Sequence, residues 1–144
     1  ELLQTVLSGF AAMPGNEQTQ QMLQYSNDGF PKVVDYLYDH FDEFKLLLTS
    51  GENSVYQEFI HRVVELDTEC TAKYIVASGN DAITSGRLTP ELNHLLSSAF
   101  YTGMFEVIIH DMPKEQALEH IHRMRRFYTA GWQTIFSTDG GDVV

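Results

Sequence analysis

Histidines and carboxylates are the residues of this sequence whose spacing could hold a metal ion. His61, Glu65 and Glu69 stand four apart, which brings them to one face if the stretch is helical. The same stretch carries Glu58 with Arg62 and Glu69 with Lys73, pairs of the favourable orientation that each add about 0.3–0.5 kcal/mol to a helix. That is the pattern of a solvated face, and it outweighs the metal reading. His120 and His122 are two apart, turned about 200° from each other on a helix, and cannot chelate one ion. No metal site and no cofactor are expected.

His110-Asp111 invites comparison with metal-dependent phosphohydrolases of the HD class, in which His61 or His94 and Asp139 would have to complete the ligand set. The dipeptide, however, ends a helix directly before Met112-Pro113, where Asp111 is better placed as a polar residue beside the start of the next helix. No glycine-rich phosphate loop, nucleophile elbow or Cys-x-x-Cys is present. A catalytic role is not expected. Tyr25, Tyr36, Phe41, Phe44, Tyr56, Phe59, Tyr74, Phe100 and Met104 could surround a hydrophobic small molecule, with tyrosine hydroxyls orienting it, or simply fill the core.

The charge balance narrows the partners. The 144 residues carry 20 acidic and nine basic side chains, a net charge of −11, and the first 31 contain no Lys or Arg. Such a chain repels phosphate backbones and by itself should not bind nucleic acid. Its single cysteine, Cys70, permits no internal disulfide and favours a reducing compartment. No run reaches the length of a membrane span and no basic start marks a signal peptide, so a cytoplasmic protein with no membrane partner is expected.

The elements that must position these residues are all helical, about six in number. Leu3, Val6, Leu7 and Phe10 begin an apolar period without a preceding cap, stopped by Pro14-Gly15. A short second helix follows Asn16. After Pro31, Val34, Leu37, Phe41, Phe44 and Leu48 mark an amphipathic helix to about Thr49. Val55, Phe59, Val63, Leu66, Cys70 and Tyr74 stripe the next, from about Glu52 to Ala77, closed by Ser78-Gly79-Asn80. The polar loop to Leu88 reads as the most flexible interior segment. Thr89-Pro90-Glu91 is a strong helix start, combining a capping hydroxyl, a first-turn proline and an acid at the positive end of the dipole. Residues 1–136 form one domain in this reading, and 137–144 a disordered tail.

The last two helices, Thr89 to Phe136, carry small residues on their apolar faces. A glycine inside a helix costs about 1 kcal/mol relative to alanine, so Gly103 and Gly131 call for a reason, which close backbone packing supplies. Such packing can lie within the chain or across a two-fold axis, and the second choice makes Leu92, Leu96, Ala99, Gly103, Val107, Ala117, Ile121, Met124, Tyr128, Gly131 and Ile135 the expected homodimer interface.

The run HRMRRFYTAGWQTIF, His122 to Phe136, resembles the final helix of the regulatory domain of TetR/AcrR-type transcriptional regulators. Val33 to Glu69 (VVDYLYDHFDEFKLLLTSGENSVYQEFIHRVVELDTE) is similar to the same group. The resemblance implies an all-helical domain that binds an inducer and dimerises through its last two helices, which form a four-helix bundle with those of a second copy. DNA would be contacted only by an N-terminal helix-turn-helix, for which nothing before Pro14 supplies three helices and basic residues. The uncapped start then reads as a cut through a connecting helix. The alternatives are a free-standing helical interaction module and the HD-like phosphohydrolase.

Overall fold

The computed structural model describes residues 30–49 and 53–137, and every regular element among them is an α-helix. The two N-terminal helices read from the sequence, Tyr25 and the tail from 138 lie outside the described residues. Residues 30–39 form α1 and Phe41–Thr49 form α2. The sequence pattern had made these one helix, and the ladder nearly continues through the turn at His40, whose N–H bonds Tyr36 O and whose carbonyl accepts from Phe44 N–H. α3 spans Asn53–Ala77, α4 Pro90–Ile109 and α5 Lys114–Phe136. No helix among the described residues is long and apolar enough to cross a membrane.

The ends of α3 and α4 are written in local chemistry. Beyond α3, Asn80 N–H bonds Ile75 O and Gly79 N–H bonds Val76 O, with Gly79 at a φ of +73°. This Schellman arrangement uses glycine because only glycine enters the left-handed region without a Cβ penalty. α4 closes the same way, Met112 N–H on Val107 O and Asp111 N–H on Ile108 O, but Asp111 occupies the left-handed position, at a φ of 53°. Aspartate tolerates that region better than most residues, and Pro113 then prevents the helix from continuing. At the other end of α4, Thr89 Oγ1 accepts from Leu92 N–H at 3.1 Å, with Pro90 in the first turn.

α4 is the central helix, packed on α3, α2 and α5. It runs antiparallel to α3, since Asp67 meets Ser97 and Tyr101 while Thr68 meets Asn93. Its Tyr101, Met104, Phe105 and Ile108 are almost completely buried, and join Val34 and Leu37 of α1, Val63 of α3 and Ala117 and Ile121 of α5 in the main core. The turn between α4 and α5 is fastened to the first two helices: Tyr38 OH donates to Met112 O at 2.6 Å, Lys114 pairs with Asp35 at 2.7 Å, and Lys45 pairs with Asp111.

Two expectations change here. The loop between α3 and α4 is tied down rather than loose. Ala82 and Leu88 are buried, and together with Ile75 they nucleate a second cluster completed by Trp132, Ile135 and Phe136 of α5. Asn80 Nδ2 donates to Phe136 O at 3.1 Å and Arg87 Nε to Ile135 O at 2.9 Å, so the loop satisfies carbonyls left open at the end of α5. The second change concerns the hairpin. Val107, Ala117 and Ile121 are buried inside their own chain and have no surface to offer a second copy. A Cβ on Gly103 would lie 3.1 Å from Met124 Cε, so this glycine lets α5 close on α4 of the same chain. Leu92 and Ile135 pack in the second cluster. Of the small residues in the expected interface, Ala99 and Gly131 remain exposed, while Gly103 and Ala117 are covered by their own chain.

Candidate functional site

A cleft of about 210 Å3 opens where α3, α4 and α5 meet. Drug-sized ligands occupy pockets of roughly 300–1,000 Å3, so this one suits a smaller molecule. Asp67 and Thr71 of α3 form one wall, and Leu96, Ser97, Phe100 and Tyr101 of α4 another. From α5 come Arg125, Tyr128, Thr129 and Trp132, and Phe30 of α1 lies at the edge.

Asp67 is the chemical centre of the cleft. As a residue it is half-buried, but its carboxylate is withdrawn from solvent, which pushes its pKa up. Ser97 Oγ donates to Oδ2 at 2.5 Å and Tyr101 OH to Oδ1 at 3.2 Å, and these bonds pull the pKa partly back. Burial first, and then the Asp67 charge, hold the Tyr101 phenol well above its usual value, so it remains a donor. An ionised carboxylate offers about four acceptor positions; two are used by these hydroxyls. One turn before Ser97, Asn93 Nδ2 donates to Thr68 O at 3.2 Å, and its Oδ1 is the one buried side-chain polar atom among the described residues without a hydrogen-bond partner.

The aromatic walls are mutually braced. Phe100 stands edge-on to Tyr128 with centroids 5.1 Å apart, and to Phe30 at 5.8 Å. Trp132 stacks on Phe136 at 5.6 Å, which anchors the last turn of α5 to the second cluster. Arg125 carries the positive charge of the cleft. Its guanidinium carbon lies 4.4 Å from the Phe30 ring centroid, and partial burial lowers its pKa. Two residues earlier on α5, Arg123 turns outward to Glu119 at 2.6 Å, while Arg125 turns to the cleft.

Of the residues expected to line a pocket, Phe100 does so. Phe41, Phe44, Tyr56 and Phe59 instead pack on the main core, where ring contacts run from Tyr36 through Phe44 and Phe59 to Phe105. Met104 is fully buried in that core, and Tyr74 belongs to the second cluster. Leu96 and Tyr128, assigned to the dimer seam, line the cleft. Asp67 was missed, although a signal was present. It stands four residues after Val63 and three before Cys70, an acid inside the apolar stripe of α3.

The histidine candidates sit elsewhere. His110 Nε2 lies 2.7 Å from Glu106 Oε2 and Asp111 pairs with Lys45, while Arg62 bonds Glu65 at 3.1 Å beside His61. Among the described residues no three His, Cys, Asp or Glu side chains converge on a point where a metal could bind; Asp139 lies outside them. Compared with known proteins, the chain matches no family profile, no curated sequence and no solved structure.

Proposed function

We propose that this chain is the effector-binding and dimerisation domain of a bacterial TetR-like transcriptional regulator, in which DNA is contacted by a separate helix-turn-helix segment. The observation that carries the reading is the cleft itself, a small aromatic-walled cavity with a withdrawn carboxylate, bounded by three helices. A molecule seated there touches α3, α4 and α5 at once and reaches Phe30 at the start of α1. It therefore favours one packing of these helices over others, and operator affinity changes by population shift.

A homodimer is part of this reading. α4 leaves Leu95 63% exposed and α5 leaves Phe127 77% exposed. Each stands four residues before an exposed small residue, Ala99 and Gly131, on the same face of its helix. Light scattering is expected to find a dimer at micromolar concentration, and Phe127→Glu or Gly131→Leu to halve the mass while circular dichroism stays helical. A wild-type monomer would remove the dimer from the proposal.

Ligand binding is tested by a thermal-shift screen of small aromatic molecules. A ligand at a hundred times its Kd adds about 2.7 kcal/mol of stability, enough to raise the melting temperature by several degrees. The chain's one tryptophan, Trp132, lines the cleft, so a true occupant also changes the intrinsic fluorescence. Stabilisation without that change would place the ligand elsewhere and end the assignment of this cleft.

A further inference from the structure

Asp67 lines the cleft with its carboxylate withdrawn from solvent. A withdrawn carboxylate is ordinarily paired with a cation, because the bare charge has lost its hydration. Among the described residues Asp67 makes no ion pair, and its partners are the hydroxyls of Ser97 and Tyr101. Every Lys, Arg and His of the chain lies among those residues, so no other stretch brings a basic side chain to it. We infer that the ligand supplies the missing charge: a small molecule with one protonated amine that donates to Asp67 and an aromatic or apolar body against the ring walls. This rests on the ligand-binding reading above and goes beyond it in naming the ligand's chemistry.

The direction of the hydrogen bonds selects a donor. Ser97 and Tyr101 are buried and direct their hydroxyl protons to Asp67, so each oxygen keeps lone pairs to offer. Carboxylate and hydroxyls together form a cluster of acceptors. An ammonium brings up to three donors and the opposite charge, a neutral hydroxyl or amide brings donors alone, and a carboxylate brings none. The walls suit the same group, because the faces of aromatic rings attract cations, and Phe100, Tyr128 and Trp132 line the cleft. Arg125 is the opposing influence, a like charge in the same cleft. Asp67 pairs with hydroxyls rather than with it, so an ammonium bonded to the carboxylate can lie closer to the anion than to the guanidinium, and the nearer charge prevails. The same repulsion limits the ligand to one positive group. The volume, about 210 Å3, sets the scale at a single ring with a short arm.

The experiment titrates the full chain with three one-ring probes and reads Trp132 fluorescence, with calorimetry as a second measurement. The probes are benzylamine, which is charged at neutral pH as a lysine side chain is, the neutral benzyl alcohol and the anionic benzoate. Benzylamine is expected to bind at least roughly tenfold more tightly than either of the others, the scale of one charge-assisted hydrogen bond. Asp67→Asn should bring benzylamine down to the affinity of benzyl alcohol and leave benzyl alcohol itself little changed. The wild-type ranking alone decides the matter if that variant fails to fold. Benzyl alcohol or benzoate binding as tightly as benzylamine would overturn the amine assignment and leave the cleft a ligand site. No response to benzylamine at millimolar concentration would overturn it too, and the ligand-binding reading then stands or falls separately, on the neutral compounds of the thermal-shift screen.

Discussion

Phe105→Ala is expected to cost the folded state about 3–5 kcal/mol, the range for truncating a buried aromatic. Phe105 is 1% exposed in the C-terminal half of α4 and its ring lies 5.4 Å from that of Phe59 on α3. It therefore joins the central helix to the row of rings that continues through Phe44 to Tyr36. The loss combines the transfer energy of the ring with the cavity it leaves, because Met104, Ile108 and Tyr101 on the same helix are themselves fully buried and close that space poorly. Domains of this kind are stable by only about 5–15 kcal/mol in total, so the variant loses a large share. Urea unfolding checks it: the midpoint should fall with the slope unchanged. A loss below about 1 kcal/mol, the level of an ordinary substitution, would show that the α3–α4 seam is not packed around this ring.

The second large effect is in pH dependence. Burial raises the Asp67 pKa above the usual aspartate range, with the Ser97 and Tyr101 hydrogen bonds opposing only in part. The folded state therefore holds this proton to a higher pH than the unfolded chain does. Between the unfolded and folded values the native state binds more protons, so stability falls as pH rises through that window. Above the folded value the loss is complete, and below the unfolded value it vanishes. Asp67→Asn keeps the shape and one carbonyl acceptor but has no charge to bury. Its stability should exceed the wild type's at neutral pH, with the difference shrinking toward strongly acidic pH. Asp81 contributes the opposite sign, since the hydrogen bond from Arg87 lowers its pKa, but both proteins share that residue and it cancels in the difference. Denaturant midpoints over a pH series check the prediction, and a difference constant with pH would contradict it.

Much of the fold was legible along the chain because helix boundaries are local chemistry. Thr89-Pro90-Glu91 caps α4 as its residue types require, and Ser78-Gly79-Asn80 ends α3 through a left-handed glycine. The apolar stripes of α3 and of residues 30–49 locate the buried faces, since the 3.6-residue period turns sequence spacing directly into a side of the helix. Local reading failed where an element's role depends on a distant partner. The segment from Asn80 to Leu88 is polar and turn-rich, and that composition says nothing about Ile135 and Phe136, the carbonyls it holds from 48 and 56 residues away.

The site was least legible of all. A sequence marks a helix face as apolar without saying whether it meets its own chain, a second copy or a ligand, because burial depends on the crossing of helices far apart in the chain. Residue types and spacing by themselves determined that the described residues are helical, where α3 ends and where α4 begins, and many of the core positions. Tertiary structure alone decided that Val107, Ala117 and Ile121 are interior, that the aromatic rings of α2 and α3 fill a core, and that Asp67, Ser97, Tyr101 and Arg125 surround one cleft. Withdrawal from water, which gives Asp67 its chemistry, is a property of three helices together and of no single stretch.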